Sequence, residues 1–392
     1  MRAAGPDGRD LAVLRVYHSA VVGEWRRRDR ALRAGGADVV LVSPRRWNEG
    51  GRDVELDVGD DDFVVPAATW GTHPYAFVYD PRPLWRALRA RPLDVIDVHE
   101  EPASLAAAEV VVLARLAGRR APICLYGAQN IEKRYPLPFR WIERAVLRRA
   151  AGLHTCNQEA GAILRRKGFA GRIRDLGLGV DVERFAPVPD RIGEGDEPAA
   201  VSDLAPDPAG RPLRVGYVGR LEAHKGVEVL VSAVAATPGV TLAIVGDGPT
   251  RPDVERAAAT AGVSDRVEVA GFASAEQLPD TYRRFDVVVV PSLDTPSWVE
   301  QFGRVAVEAM ASGVAVVASR SGALPEVVGD AAWLVEPGDV AGLAAALATL
   351  RDDPARRRQL AEAGRRRARR YAWAEVAARQ LDLYRQVVED AS

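Results

Sequence analysis

The run Phe285–Val290, FDVVVV, stops at Pro291 and is followed by a polar loop and a helix-period segment that ends at Gly313. An apolar run of this length suits a parallel strand buried on both faces. Proline ends it, because it brings no N–H to the ladder. The helix starts near Phe302–Gly303 and stops at the glycine. A strand, a loop and a returning helix form one unit of an α/β sheet, and such sheets bind ligands at the C-terminal ends of their strands.

The same alternation runs along the whole chain. Leu11–Tyr17 reads as a strand, Glu24–Ala34 as a helix and Asp38–Val42 as a second strand, which implies a parallel sheet. Further strand runs lie at 94–98, 123–126 and 152–156, and then at 213–218, 240–245, 267–270, 314–318 and 332–335. Between the two sets, Phe185–Pro212 is rich in Pro, Asp and Ala without apolar periodicity, and reads as a linker. At 392 residues the chain can bury two cores. The expected fold class is α/β, with a first domain over 1–190, a linker over 191–212 and a second domain over 213–372.

Charge and cysteine content narrow the function classes. A formal net charge of −1 gives no basic field for nucleic acid. Two cysteines, Cys124 and Cys156, sit in apolar runs and match neither a disulfide framework nor a metal-ligand spacing. The N-terminus lacks the apolar region of a signal peptide, and no segment reaches the length of a membrane span. The expectation is a soluble cytoplasmic protein, with peripheral contact at the inner face of the membrane left open. Only three of the 53 Lys+Arg residues are lysines, Lys133, Lys167 and Lys225. A chain this rich in arginine keeps lysine where a compact ammonium is needed, or by chance.

Glu300 and Glu308 are the informative carboxylates. Eight residues apart on one helix they would point roughly 80° from each other. Glu300 therefore belongs in the loop and Glu308 one to two turns inside the helix. Gly303 between them lets the helix N-terminus approach a ligand, and its amides suit a phosphate. The competing reading is a solvated helix with ordinary surface glutamates.

The E-x7-E spacing with FG inside it, followed by EAMASG, resembles the signature of the retaining glycosyltransferases of family 4, which have the GT-B fold. GRLEAHKG at 219–226 resembles the donor diphosphate motif of that family, with Arg220 and Lys225 as phosphate ligands beside Gly219. The resemblance implies two Rossmann-like domains facing an interdomain cleft, with the C-terminal helix, about 373–392, crossing back onto the first. It implies donor contacts from the Gly246–Gly248 turn, Phe272, Phe302, Gly303 and Glu308, with Glu300 on the sugar hydroxyls. The family's N-terminal glycine pair is reduced here to Gly23. VHEEPASL at 98–105 resembles an H-E-P segment that lines the catalytic cleft, which makes His99 a catalytic and acceptor-side candidate with Glu100 beside it. GAQNIEKRYP at 127–136 offers Asn130 and Lys133 for the acceptor, although Asn130 reads equally as a helix cap. The basic helix FRWIERAVLRR at 139–149 matches a membrane-touching element of lipid-modifying relatives, or else a solvated helix packed through Ile142, Ala145 and Val146.

The implied activity moves a sugar from a UDP- or GDP-sugar to a carbohydrate, glycolipid or small-molecule acceptor with retention, in cell-surface or exopolysaccharide assembly. The leaving diphosphate would be neutralised by Arg220, Lys225 and helix N-termini, with no cofactor and no metal needed for that step. An epimerase or phosphorylase of the same fold, or a non-catalytic nucleotide-sugar binder, are the alternatives. A nicotinamide oxidoreductase is disfavoured, since no G-x-G-x-x-G follows the first strand.

Overall fold

The computed structural model describes residues 10–49, 51–187 and 211–392. Most of the expected linker falls outside these described residues. The chain divides into two compact units, Met1–Gly179 with Trp373–Ser392, and Val180–Ala372.

The first unit contains β1 (Leu11–Val16), α1 (Arg27–Ala34), β2 (Ala37–Pro44), β3 (Arg46–Glu49), β4 (Arg52–Glu55), β5 (Val64–Ala67), β6 (Thr69–Trp70) and β7 (Val78–Tyr79). It continues through α2 (Pro81–Ala90), β8 (Val95–Val98), α3 (Leu105–Leu116), β9 (Ile123–Gly127), α4 (Phe139–Leu147), β10 (Ala150–Thr155), α5 (Gln158–Arg166) and β11 (Arg172–Asp175). Seven strands form one parallel sheet in the order β11-β10-β9-β8-β1-β2-β5. β3 pairs with β4, and β6 with β7, as small antiparallel hairpins.

Alternation along β1 sends Leu14 and Val16 into the core beneath α2 and α3, and Leu11 and Val13 to the opposite face. The second unit holds the chain between, and the polypeptide then returns to the first unit as α13 (Trp373–Ala391). This helix packs on α1, β10 and β11 through Ala377, Leu381, Tyr384 and Val387.

The second unit contains β12 (Leu213–Val218), α6 (Val227–Ala235), β13 (Val240–Val245), α7 (Arg251–Thr260), β14 (Val267–Gly271), α8 (Leu278–Arg283), β15 (Val287–Val290) and α9 (Arg304–Ala311). β16 (Ala315–Ser319), α10 (Leu324–Val328), β17 (Trp333–Val335), α11 (Val340–Asp352) and α12 (Pro354–Ala368) complete it. Its six strands are parallel, in the order β14-β13-β12-β15-β16-β17. Val287–Val290 is buried at all four positions, as a two-faced strand requires. Of all the described residues, no helix is long and apolar enough to cross a membrane.

Candidate active site

In the second unit, the turns after β12, β13 and β15 meet at the C-terminal end of the sheet. The meeting depends on glycine. A Cβ on Gly246 would lie 1.8 Å from the Gly219 carbonyl oxygen, and one on Gly248 would lie 2.3 Å from that of Leu221. The amide of Leu221 donates to the Asp247 carbonyl at 3.0 Å, locking the two turns together. Gly226, at φ 67°, begins α6 and leaves no room for a side chain beside the Pro291 carbonyl.

That junction brings Lys225 to Glu300. Lys225 Nζ lies 2.8 Å from Glu300 Oε2 and 4.4 Å from the centre of the Trp298 ring. Ser292 Oγ donates to the same carboxylate oxygen at 3.1 Å. His224 packs on the other ring contact of Trp298 at 3.9 Å. Arg220 follows β12 in the same loop; its side chain is 62% exposed and pairs with Glu222 at 2.5 Å. Gly303, at φ 80°, precedes α9 with no side-chain cap, and Phe302 is buried against Tyr371. The Ala306 amide in its first turn donates to the Gly303 carbonyl at 2.9 Å.

Glu300 and Glu308 are separated as expected, one in the loop and one inside α9. Glu308 is buried, with one oxygen accepting from Tyr282 Oη at 2.8 Å and the other from Arg304 Nε at 2.7 Å. Its carboxylate is oriented by two side chains that sequence reading did not single out. Arg304 lies four residues before Glu308, so the i,i+4 spacing was the available signal. Phe272 is 61% exposed at the turn after β14. A concavity of about 960 Å³ reaches Gly271 and Phe272 but none of Arg220, Lys225 or Glu300.

In the first unit, β8 delivers His99, Glu100 and Glu101 at its C-terminal end. His99 is 3% exposed, stacked on Tyr126 at 3.9 Å and tilted against Tyr17 at 4.1 Å. Glu100 is buried and receives His18 Nδ1 at 2.5 Å, the His18 amide at 2.9 Å and Tyr79 Oη at 3.0 Å. His18 was absent from the sequence candidates; it stands in the loop after β1, against Trp47 and Phe77. Burial works against its protonation, but Glu100 outweighs it and raises the imidazole above 6.5. Burial likewise pushes Glu101 up to about 7, against the hydrogen bond it accepts from the Ala128 amide at 2.8 Å.

The remaining candidates scatter. Asn130 is half-buried in the loop after β9, outside any helix, and Lys133 is exposed in the same loop. Gly23 lies in the turn before α1 without a positive φ, so its backbone does not demand glycine. In α4, Trp141 is 60% exposed and Ala145 is exposed, whereas Glu143 turns inward to Lys167 at 2.7 Å. Ile142 and Val146 pack on the core as expected, joined by Leu147, while a part-buried ion pair replaces the expected contact through Ala145.

Beneath His99, ligand atoms of Asp97, His99 and His154 lie within 4.8 Å of one another. That set is already engaged. Asp97 holds Arg15 Nε at 2.7 Å and His154 Nε2 at 2.8 Å, and Arg15 also faces His99. A metal ion placed there would meet a buried guanidinium.

Comparison with known proteins follows this geometry. Residues 206–367 match the model of glycosyl transferases group 1, and residues 25–179 match a glycosyl transferase 4-like domain. A 2-deoxystreptamine glucosyltransferase of Streptomyces kanamyceticus is 35% identical over 68% of this chain and 71% of its own. The chain belongs to the group 1 glycosyltransferases. A D-inositol 3-phosphate glycosyltransferase of Xylanimonas cellulosilytica is 36% identical over 63% of this chain and 59% of its own. HepE of Anabaena, solved in complex with UDP, shares the fold with a TM-score of 0.66 at 19% identity, over 95% of this chain and 98% of its own. This group 1 glycosyltransferase therefore has the two parallel-sheet units of the GT-B fold.

Proposed function

We propose that this glycosyltransferase takes a sugar from a nucleoside diphosphate donor bound on the second unit and passes it to a hydroxyl of an acceptor bound on the first. Lys225 against Glu300, at 2.8 Å and near the N-terminus of α9, carries the reading. As the sugar–phosphate bond breaks, negative charge grows on the diphosphate. Lys225, Arg220 and the amides following Gly303 are the groups that stabilise it, with no metal required for that step. Glu300, released from Lys225 when the phosphate takes the ammonium, accepts from sugar hydroxyls. Glu308, already oriented by Tyr282 and Arg304, takes the ribose diol. Gly219, the Gly246–Gly248 turn, Phe272 and Phe302 shape the rest of the donor site.

On the first unit, His99, Glu100, Asn130 and Lys133 are proposed to meet the acceptor, with Gly23 near the donor. Retention, as in family 4, is part of the proposal, with the departing phosphate helping to receive the acceptor proton. The glucosyltransferase relative supports a hexosyl donor, and the UDP complex of HepE supports a uridine nucleotide ahead of GDP. A cyclitol, glycan or glycolipid acceptor in cell-surface or exopolysaccharide assembly, reached at the inner face of the membrane, completes the reading.

The test is thermal melting with UDP, GDP and ADP, followed by UDP-glucose turnover with 2-deoxystreptamine, D-inositol 3-phosphate and oligosaccharides, with and without EDTA. Stabilisation by one nucleotide and an α-linked product undiminished by EDTA support the proposal. No nucleotide binding would overturn it.

A further inference from the structure

Arg15 lies in the middle of a strand and is 0% exposed. It follows Leu11 and Val13 on the face of β1 that meets α1 and α13, and it sits directly beside Asp97 of β8 in the parallel register. Its guanidinium is held on three sides. Nε donates to Asp97 at 2.7 Å, Nη1 donates to Asp29 of α1, and Nη2 lies 3.2 Å from His99 Nδ1. Asp97 is held in turn by His154 and, at 3.2 Å, by Gln380 Nε2 of α13.

We infer that Arg15 fixes His99 as the neutral imidazole that carries its proton on Nε2, making the ring a hydrogen-bond donor rather than a proton acceptor. The chemistry leaves one assignment. Arginine has only N–H donors and does not deprotonate in a protein. An imidazole nitrogen hydrogen-bonded to it must offer its lone pair, so Nδ1 is bare and the proton is on Nε2. Nε2 makes no hydrogen bond to any described residue and is left for a ligand. Arg15 is a positioning residue: it acts through His99.

The surroundings agree. Burial, then the charge of Arg28, His154, Arg15 and His18, holds His99 well below the usual histidine range. Arg28 is itself buried, donating to the Gly177 carbonyl. His18, one residue beyond Tyr17, is in the opposite condition, with its Nδ1 on the buried carboxylate of Glu100. Two imidazoles following adjacent strands thereby have their proton affinities shifted in opposite directions, which is how folds separate donor and acceptor roles.

That Nε2–H meets substrate rests on the function proposed above; the tautomer does not. The experiment is a long-range proton–nitrogen NMR spectrum of the full chain labelled with [15N]histidine, with His99→Gln used to identify the His99 signals. Expected is one protonated and one bare nitrogen in the Nε2–H pattern, unchanged between about pH 6 and pH 8. An Nδ1–H pattern, or a titration in that range, overturns the inference. Arg15→Lys, checked for folding by circular dichroism, is expected to let the ring sample both tautomers or titrate. An unaltered His99 spectrum in that folded variant removes Arg15 from its positioning role. If Arg15→Lys does not fold, Asp97→Asn, which loosens Arg15 while keeping the side-chain shape, is read by the same criterion. Absence of turnover with every donor would unseat the proposed function and leave this measurement standing.

Discussion

Lys225 and Glu300, 75 residues apart in sequence, form an ion pair of 2.8 Å above the indole of Trp298. The pair keeps the ammonium extended over the end of the sheet. Under the proposed function a diphosphate, carrying more charge than one carboxylate, displaces it, which turns one contact into two functional groups.

Lys225→Ala removes a cation from the leaving group. A fall in kcat of about 10²–10³ is expected, from the usual cost of losing one preorganised donor in a transition state. Steady-state kinetics with the nucleotide sugar checks it. A kcat close to that of the parent enzyme would take Lys225 out of the chemistry.

Glu308→Gln keeps the shape of the side chain and removes its charge. Arg304 then loses its carboxylate, and Tyr282 keeps only an amide oxygen. Stability should fall by about 1–3 kcal/mol, the range for a disrupted buried hydrogen bond. Nucleotide affinity should drop in the same variant. Denaturant unfolding and calorimetric titration read the two effects separately.

Gly246→Ala places a methyl group against the Gly219 carbonyl. The backbone must move, at a cost of about 1–3 kcal/mol as for other overpacked sites. Because both turns border the proposed donor site, melting temperature and nucleotide affinity should fall together. Gly262→Ala, at a glycine with open space around it, is the control for crowding; its own φ of 68° makes a smaller backbone penalty the expected result.

Glu101 supplies a pH prediction with a definite sign. Its carboxyl is raised from 4.5 to about 7 by burial. Between those values the folded state keeps a proton that the unfolded chain has released, so stability falls as pH rises through this window. Glu101→Gln should therefore stabilise the protein more at about pH 8 than at about pH 5. Equal shifts in melting temperature at the two values would refute the assignment.

The alternation of strands and helices was legible because parallel strands are apolar on both faces and their turns carry glycine and proline. Lys225, Arg220, Glu300 and Gly303 could be found because they sit within one or two strand–turn–helix segments. Arg15 and Asp97 escaped notice. Inside LAVLRVY and DVIDV they read as polar interruptions, and their bond joins residues 82 apart. His18 was passed over as loop, since nothing nearby in sequence announces Glu100 as its partner. Glu143 of α4 is the reverse case. Its helix pattern suggests a solvent-facing charge, and the distant Lys167 draws it inward.

Gln380 hydrogen-bonds Asp97 from a helix that begins at Trp373, although Asp97 belongs to the first hundred residues. During synthesis Arg15 and Asp97 therefore stay uncovered on that side until α13 has been translated. Deleting α13 would damage the first unit and spare the second, which is translated just before that helix.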